Sequence, residues 1–380
     1  MHGRLISGAE QVGLPLPNFE SMRMVQNRFL QPIPGVLLAL LLALLGHALA
    51  DWLGKDLMDM PKSPVSPIMM AILLGMLLRN TLGLPAWADA GVRFSLVRLL
   101  RLGIVLLGIR LGLGQAGTIG LQALPVIIGC VAAALVLVTW LSKRLGLSAR
   151  LGTLIAAGTG ICGATAIVAL SPTIRARDDE TAYAIACITV FGVAAMLAYP
   201  FLAHWFFAGD ALKAGLFLGT SVHETAQVAG AGLVYQELYS SQQALDTATV
   251  TKLVRNLGML VVIPLLGFLY QRQASDSVAA TPWYRMVPLF VIGFALMSAF
   301  RTVGDMGDQA FGVLARADWQ WLVAQLKSLA ELLLAIAMAA VGLGTSLRGL
   351  QAIGLKPCAV GLFSALLVGA VSLLLIRLFF

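Results

Sequence analysis

Apolar runs, each about as long as a bilayer-crossing helix, alternate with short polar connections along nearly the whole chain. They predict spans at residues 33–51, 65–79, 96–113, 123–141, 151–173, 181–207, 211–234, 249–270, 286–300, 320–346 and 357–379. About 20 apolar residues cross the hydrocarbon core as a helix, and a helix satisfies its own backbone polar groups there. The pattern therefore predicts an all-α integral membrane protein of about 10–11 transmembrane helices. Pro61, Pro64 and Pro67 stiffen the approach to the second span, and Pro282 and Pro288 do the same before the ninth.

Two spans depart from a uniform apolar helix. The fifth is crowded at its centre by Gly158, Thr159, Gly160, Cys162, Gly163, Ala164 and Thr165. Each glycine in a helix costs about 1 kcal/mol relative to alanine, so a plain membrane helix has no use for such a cluster. The seventh reads Gly219-Thr-Ser-Val-His-Glu-Thr-Ala-Gln-Val228, with His223 and Glu224 side by side inside an apolar run. Both stretches are expected to be interrupted helices that build a polar site near the membrane midplane. Tight helix packing through small residues is the competing explanation for the glycines.

The same two stretches suggest an internal repeat. Gly158-Thr159-x-Ile161 matches Gly219-Thr220-x-Val222 at an offset of 61 residues, and Gly108 and Gly120 match Gly342 and Gly354. The chain is expected to hold a polar N-terminal segment, 1–31, and one transmembrane domain, 32–380. That domain divides into related halves at about 65–207 and 211–379. The fifth and seventh spans run parallel if every helix crosses fully, so inversion requires one broken segment to re-enter.

Composition agrees with the membrane reading and narrows the chemistry. Hydrophobic residues make up 59% and charged residues only 12%, and the mean hydropathy is +0.89. A soluble domain carries about 25% charged residues. The net charge of +8 comes from Lys and Arg scattered through short loops, which argues against nucleic-acid binding. More of those residues fall on the side that shares the N-terminus, which places the N-terminus in the cytoplasm. Cys130, Cys162, Cys187 and Cys358 lie in apolar segments without CxxC or Cys/His spacing, so neither a disulfide framework nor a metal site is expected. No motif for catalysis or for a cofactor is present.

Candidate binding residues follow from these departures. His223 and Glu224 are ionisable groups inside a span, a placement that marks pathways and relays. Thr225 and Gln227 add hydrogen-bonding groups beside them, and Thr220 and Ser221 precede them. Lys252 and Arg255 share a helical face at the start of the eighth span. They either neutralise an anion, pair with Glu224, or snorkel to headgroups. Lys327 and Glu331 are spaced for an intrahelical pair. Arg110, at the end of the third span, is read as a snorkelling anchor at the lipid interface, and His47 and His204 are read as structural.

Several of these stretches together resemble the YeiH family. They are Gly158-Thr-Gly-Ile-Cys-Gly-Ala-Thr-Ala166, Pro172, Ala194-Ala-Met-Leu-Ala-Tyr-Pro200, Gly219–Val228, Lys252 with Arg255, and Ala337-Met-Ala-Ala-Val-Gly-Leu343. The resemblance runs from about residue 32 to the end. It implies a bacterial inner-membrane protein labelled a sulfate exporter. It also implies a superfamily fold of inverted repeats, with a panel domain and a core domain of crossing discontinuous helices. The expected function is secondary transport of a small anion such as sulfate, a related sulfur oxyanion or a sulfonate, coupled to H+ or Na+. A monovalent cation/proton antiporter and a non-transporting membrane subunit are the alternatives, and a homodimer is the assembly the reading allows. The expected site comprises Thr159, Gly160, Cys162, Gly163, Ala164, Thr165, Thr220, Ser221, His223, Glu224, Thr225, Gln227, Lys252 and Arg255.

Overall fold

The computed structural model describes residues 31–60, 63–271, 288–346 and 355–380. The segment 1–30, with the polar N-terminal expectation, and Pro61 and Pro282 lie outside those residues. The protein is all-α, and among the described residues the only extended pairing is an isolated bridge between Ala310 and Leu314. Helices follow in the order α1 (Ile33–Asp51), α2 (Pro67–Thr81), α3 (86–110) and α4 (Leu113–Arg144). Then come α5 (Ala149–Gly160), α6 (Ala164–Leu170), α7 (Asp178–Phe207), α8 (Ala211–Ser221) and α9 (Thr225–Tyr239). The chain ends with α10 (Gln242–Leu257), α11 (Met259–Gln271), α12 (Leu289–Gly304), α13 (Arg316–Gly344) and α14 (Leu355–Phe379).

Six helical stretches among the described residues are long and apolar enough to cross a bilayer, and α2 and α12 are shorter apolar helices. Each apolar run in the sequence carries a helix, and both glycine-rich runs carry a broken one. α5 stops at Gly160 and α6 starts at Ala164, with Gly163 at φ +74° between them. That backbone conformation suits glycine alone among residues without a polar short side chain. α8 stops at Ser221 and α9 starts at Thr225, with Val222 extended between them.

The helices pack as two groups that interleave along the chain. α1, α2, α3, α12 and α13 pack with one another, while α4 to α11 pack with α14. Contact between the groups runs largely through α9, which touches α2 and α13, and through α4 against α12. Inside a bilayer, helices gain little by burying apolar surface from lipid, so close backbone approach matters more. α2 and α13 meet at Gly75 and Gly342, where a Cβ on Gly75 would sit 2.6 Å from the carbonyl oxygen of Ala339. A Cβ on Gly342 would overlap the Ile72 carbonyl. In the second group, Gly215 and Gly219 lie one turn apart on α8 and pack on α10. There a Cβ would fall 2.7 Å and 2.8 Å from the carbonyl oxygens of Ala244 and Ala248. This contact sets how α10 enters the neighbourhood of the breaks.

The register of the α2–α13 contact is testable. Gly342→Val forces the backbones apart and lowers the melting temperature of detergent-solubilised protein, at the cost of about 1–3 kcal/mol typical of overpacking. Gly117→Ala, whose Cβ meets nothing within 4 Å, leaves it unchanged or slightly raised.

Candidate functional site

The interruptions leave two sets of backbone groups to satisfy, carbonyls at the ends of α5 and α8 and N–H groups at the starts of α6 and α9. The structure brings the two breaks together, and α10 supplies the donors for the carbonyl set. Lys252 is fully buried and its ammonium donates to the carbonyls of Ile161 (3.1 Å), Val222 (3.0 Å) and His223. All three ammonium protons are thereby used. Arg255, also fully buried, donates from Nε to Gly160 O (2.7 Å) and from one terminal nitrogen to Thr220 O (2.7 Å) and Val222 O (3.2 Å). Its other terminal nitrogen donates to the carbonyl of Thr159. Two cations one helical turn apart therefore close the carbonyl ends of both broken helices. Each such end carries about half a negative charge, so the arrangement is electrostatically matched.

This removes two of the three readings open for the pair. Lys252 and Arg255 do not snorkel, because the structure buries both at the centre of the crossing. Their hydrogen bonds go to backbone rather than to Glu224. Thr159, Gly160, Thr220 and Ser221 lie on this carbonyl side. The Thr220 hydroxyl meets Ser372 Oγ at 2.7 Å, and Ser221 Oγ donates to Phe217 O at 2.5 Å. His223 is fully buried, and neither ring nitrogen has a hydrogen-bond partner among the described residues.

The N–H side faces a cavity of about 340 Å³ between the two helix groups. Cys162, Ala164, Thr165, Glu224, Thr225 and Gln227 line it from the broken helices, and Thr189 lines it from α7. Glu224 Oε1 accepts from the Thr189 hydroxyl (3.2 Å), and the carboxylate also takes a hydrogen bond from the Ala164 backbone at the start of α6. Gln227 fixes the turn by accepting from Glu224 N–H (3.0 Å) while donating to Thr189 O (3.1 Å). Gly163 does not line the cavity. A Cβ there would collide with the Glu224 side chain, so its role is to let that carboxylate close on the break.

The other wall comes from residues 96–104 of α3, Phe290, and residues 341–345 at the end of α13. It contains a residue that the sequence reading missed. Arg101 lies mid-helix in α3, lines the cavity, and has no hydrogen-bond or ion-pair partner among the described residues. The signal was present, since a charge inside a predicted span points to function. It was hidden among the Lys and Arg residues that the sequence scatters near span ends and in short loops.

A second polar cluster lies farther along the same interface. Arg110 Nε sits 3.0 Å from Asp246 Oδ1, out of line with its N–H, so the contact is an ion pair rather than a hydrogen bond. The Arg110 guanidinium also reaches Glu331 Oε1 (3.2 Å) and Gln236 Oε1 (2.9 Å). Close by, Glu237 accepts from the Ser66 hydroxyl and from Ile68 N–H. Arg110 is therefore a buried bridge between the groups, not the lipid-facing anchor expected of it. Glu331 is engaged across helices rather than serving only its own. Along α9, nine residues separate Gln227 from Gln236, about 14 Å of helix, so the cluster is displaced from the cavity by roughly half a bilayer core.

Removing the Lys252 ammonium tests the clamp. Lys252→Met leaves the buried carbonyls of Ile161 and His223 without donors, at about 1–3 kcal/mol each, while Val222 O keeps its bond from Arg255, and the variant melts far earlier or aggregates on size-exclusion chromatography. The charge-retaining Lys252→Arg preserves more of the folded population.

The chain is similar to known proteins over most of its length. The family described as Conserved hypothetical protein 698 matches residues 34–361. A UPF0324 membrane protein of Streptococcus pyogenes is 34% identical over 346 residues, covering 90% of this chain and 96% of its own. The UPF0324 inner membrane protein YeiH of Salmonella typhimurium is 33% identical over 348 residues, covering 89% and 92%. A UPF0324 membrane protein of Fusobacterium nucleatum is 31% identical over 350 residues, covering 89% and 96%.

Proposed function

The chain belongs to the UPF0324 family of multi-pass membrane proteins, and from that premise we propose that it is a secondary active transporter of a small anion. The observation that carries this reading is the pair Lys252 and Arg255, fully buried across both breaks. In transporters with broken helices, exposed carbonyls at the crossing are where a coupling Na+ is held. Here those carbonyls are already saturated by two side-chain cations. The same observation argues against a monovalent cation/proton antiporter and against sodium coupling at the crossing.

Charge bookkeeping points to protons instead. Two cations against two helix C-termini of about half a charge each leave roughly +1. Ionised Glu224 cancels that charge and leaves the Arg101 guanidinium as the excess positive charge at the cavity, and protonated Glu224 raises the excess by one. Proton binding at Glu224 and anion binding in the cavity therefore favour each other. Such co-loading drives uptake on an inward proton gradient, the opposite of the export that the sequence resemblance implies. Panel and core enter here as the parts that move, each drawing helices from both of the related halves. α1–α3 with α12 and α13 form one body, and α4–α11 with α14 form the other. With the N-terminus in the cytoplasm, the cavity opens toward the cytoplasmic half and the Arg110 cluster closes the opposite half.

Flux measurements in proteoliposomes test the coupling. Uptake of labelled sulfate or methanesulfonate is expected to follow an imposed pH gradient and to be indifferent to replacing Na+ by choline. Glu224→Gln is expected to lose the pH dependence while keeping anion exchange. Sodium-driven proton flux without any anion would overturn the assignment.

Closure at the Arg110 cluster has its own readout. Asp246→Asn, by breaking a buried pair, weakens that closure by about 3–5 kcal/mol if none of the loss is recovered. A cysteine placed at Ala335, which lines the space beside Gln236 and Glu331, then reacts faster with a membrane-impermeant thiol reagent.

A further inference from the structure

The cavity does not have the walls that a bare inorganic oxyanion needs. A tetrahedral dianion such as sulfate presents oxygen in every direction, and each desolvated oxygen without a donor is costly. Apart from Arg101 and Thr345, the polar groups of the lining lie on the side made by the broken helices and by Thr189 of α7. The facing side is built from Val97, Leu100 and Ile104 on one face of α3, together with Phe290 and Val341. At i, i+3 and i+7 these three α3 positions form a single stripe, and Arg101 sits beside it as the only unpartnered cation among the described lining residues. The cavity of about 340 Å³ has room for about eleven waters at roughly 30 Å³ each, well beyond one oxyanion. Its size and lining are those of an organic-ligand pocket, mostly apolar with a few placed polar groups.

We propose that this site takes a small organic anion, with one anionic headgroup set against Arg101 and a short apolar body lying on the α3 stripe and Phe290. The proposal rests on the anion-transport reading and narrows its substrate class from inorganic sulfate to acids with a hydrocarbon portion. Of the titratable groups that line the cavity, Arg101, Cys162 and Glu224, only Arg101 offers a positive charge. Glu224 repels the headgroup when ionised and is held on the opposite wall by Thr189 and the α6 backbone. The substrate therefore has a fixed polarity in the cavity, head toward α3 and away from the Glu224 carboxylate. Arg101 selects for charge, and the stripe selects for length.

The test is equilibrium binding to detergent-solubilised protein by titration calorimetry, with sulfate and the series methane-, ethane-, propane- and butanesulfonate. Affinity is expected to rise about three- to fourfold per methylene, as burial of a CH₂ predicts, with sulfate weakest. Arg101→Gln is expected to lower affinity for every sulfonate by a similar factor and leave the per-methylene slope intact, and Arg101→Lys to recover part of the loss. Val97→Ser, a half-exposed position chosen to spare the fold, is expected to flatten the slope by costing butanesulfonate several-fold more affinity than methanesulfonate. A flat series, or sulfate binding as tightly as butanesulfonate, overturns the proposal. Because binding is read without flux, the two readings fail separately. A graded series with no movement of any member in liposomes removes the transporter, and sulfate flux with a flat series removes the organic anion.

Discussion

Everything at the centre of this protein depends on the contact between two side-chain cations and the carbonyl ends of two broken helices. A backbone interruption inside a membrane is tolerable only where protein, water or ligand takes up the freed polar groups. Lys252 and Arg255 do this from within the chain, so the breaks are permanent features rather than ones that await an ion. Their approach depends in turn on Gly215 and Gly219, which allow α10 to lie against α8 closely enough for both side chains to reach across. A small-residue stripe, a helix–helix contact and an electrostatic clamp are thus successive consequences of one sequence pattern.

That clamp also divides the labour within the site. Carbonyls and cations occupy one side of the crossing, and N–H groups, hydroxyls and the Glu224 carboxylate face the cavity on the other. The sequence treated Thr159 and Thr225, or Arg255 and Glu224, as members of one binding set. The structure sorts them into a buried frame and an accessible surface. Residues of the frame give fixed charge, while residues of the surface meet whatever enters.

How much of this could be read from the sequence depended on which physical signal each part leaves. The helices and both breaks were legible, because apolar runs of bilayer length and glycines in the middle of them are local signals. His223 and Glu224 stood out as charges in an apolar run. The role of Lys252 was not legible, since spacing shows that it shares a face with Arg255 but not what that face meets. Arg110 and Glu331 were assigned to lipid and to an intrahelical pair for the same reason. Their partners Asp246 and Gln236 lie 136 and 126 residues away from Arg110, and no local pattern announces such a contact. Arg101 was legible in principle and was lost because positive residues near span ends are so common.

Cavity and ion-pair cluster occupy the same interface between the two helix groups, and their spacing along it has a mechanical meaning. Three helices, α3, α9 and α13, each contribute to both, with Ile104 and Arg110, Gln227 and Gln236, and Val341 and Glu331 as the paired positions. On the transport reading proposed above, rigid helices that part at one end of a shared interface must also change it at the other, which is a rocking of the two bodies. Where the interface is hollow it is lined by an apolar stripe with Arg101 on one wall and by the polar groups of the breaks on the other, and where it is closed it is held by the buried Arg110–Asp246 pair. Buried pairs of this kind contribute little net stability, because desolvation offsets most of the attraction, but they are sharply sensitive to separation. An interface closed by such a pair resists small displacements and, once parted, lets water rehydrate the charges and hold it open. That is the behaviour of a two-position closure, and under the proposed transport cycle the energetic threshold for rocking would lie at Arg110 rather than at the breaks.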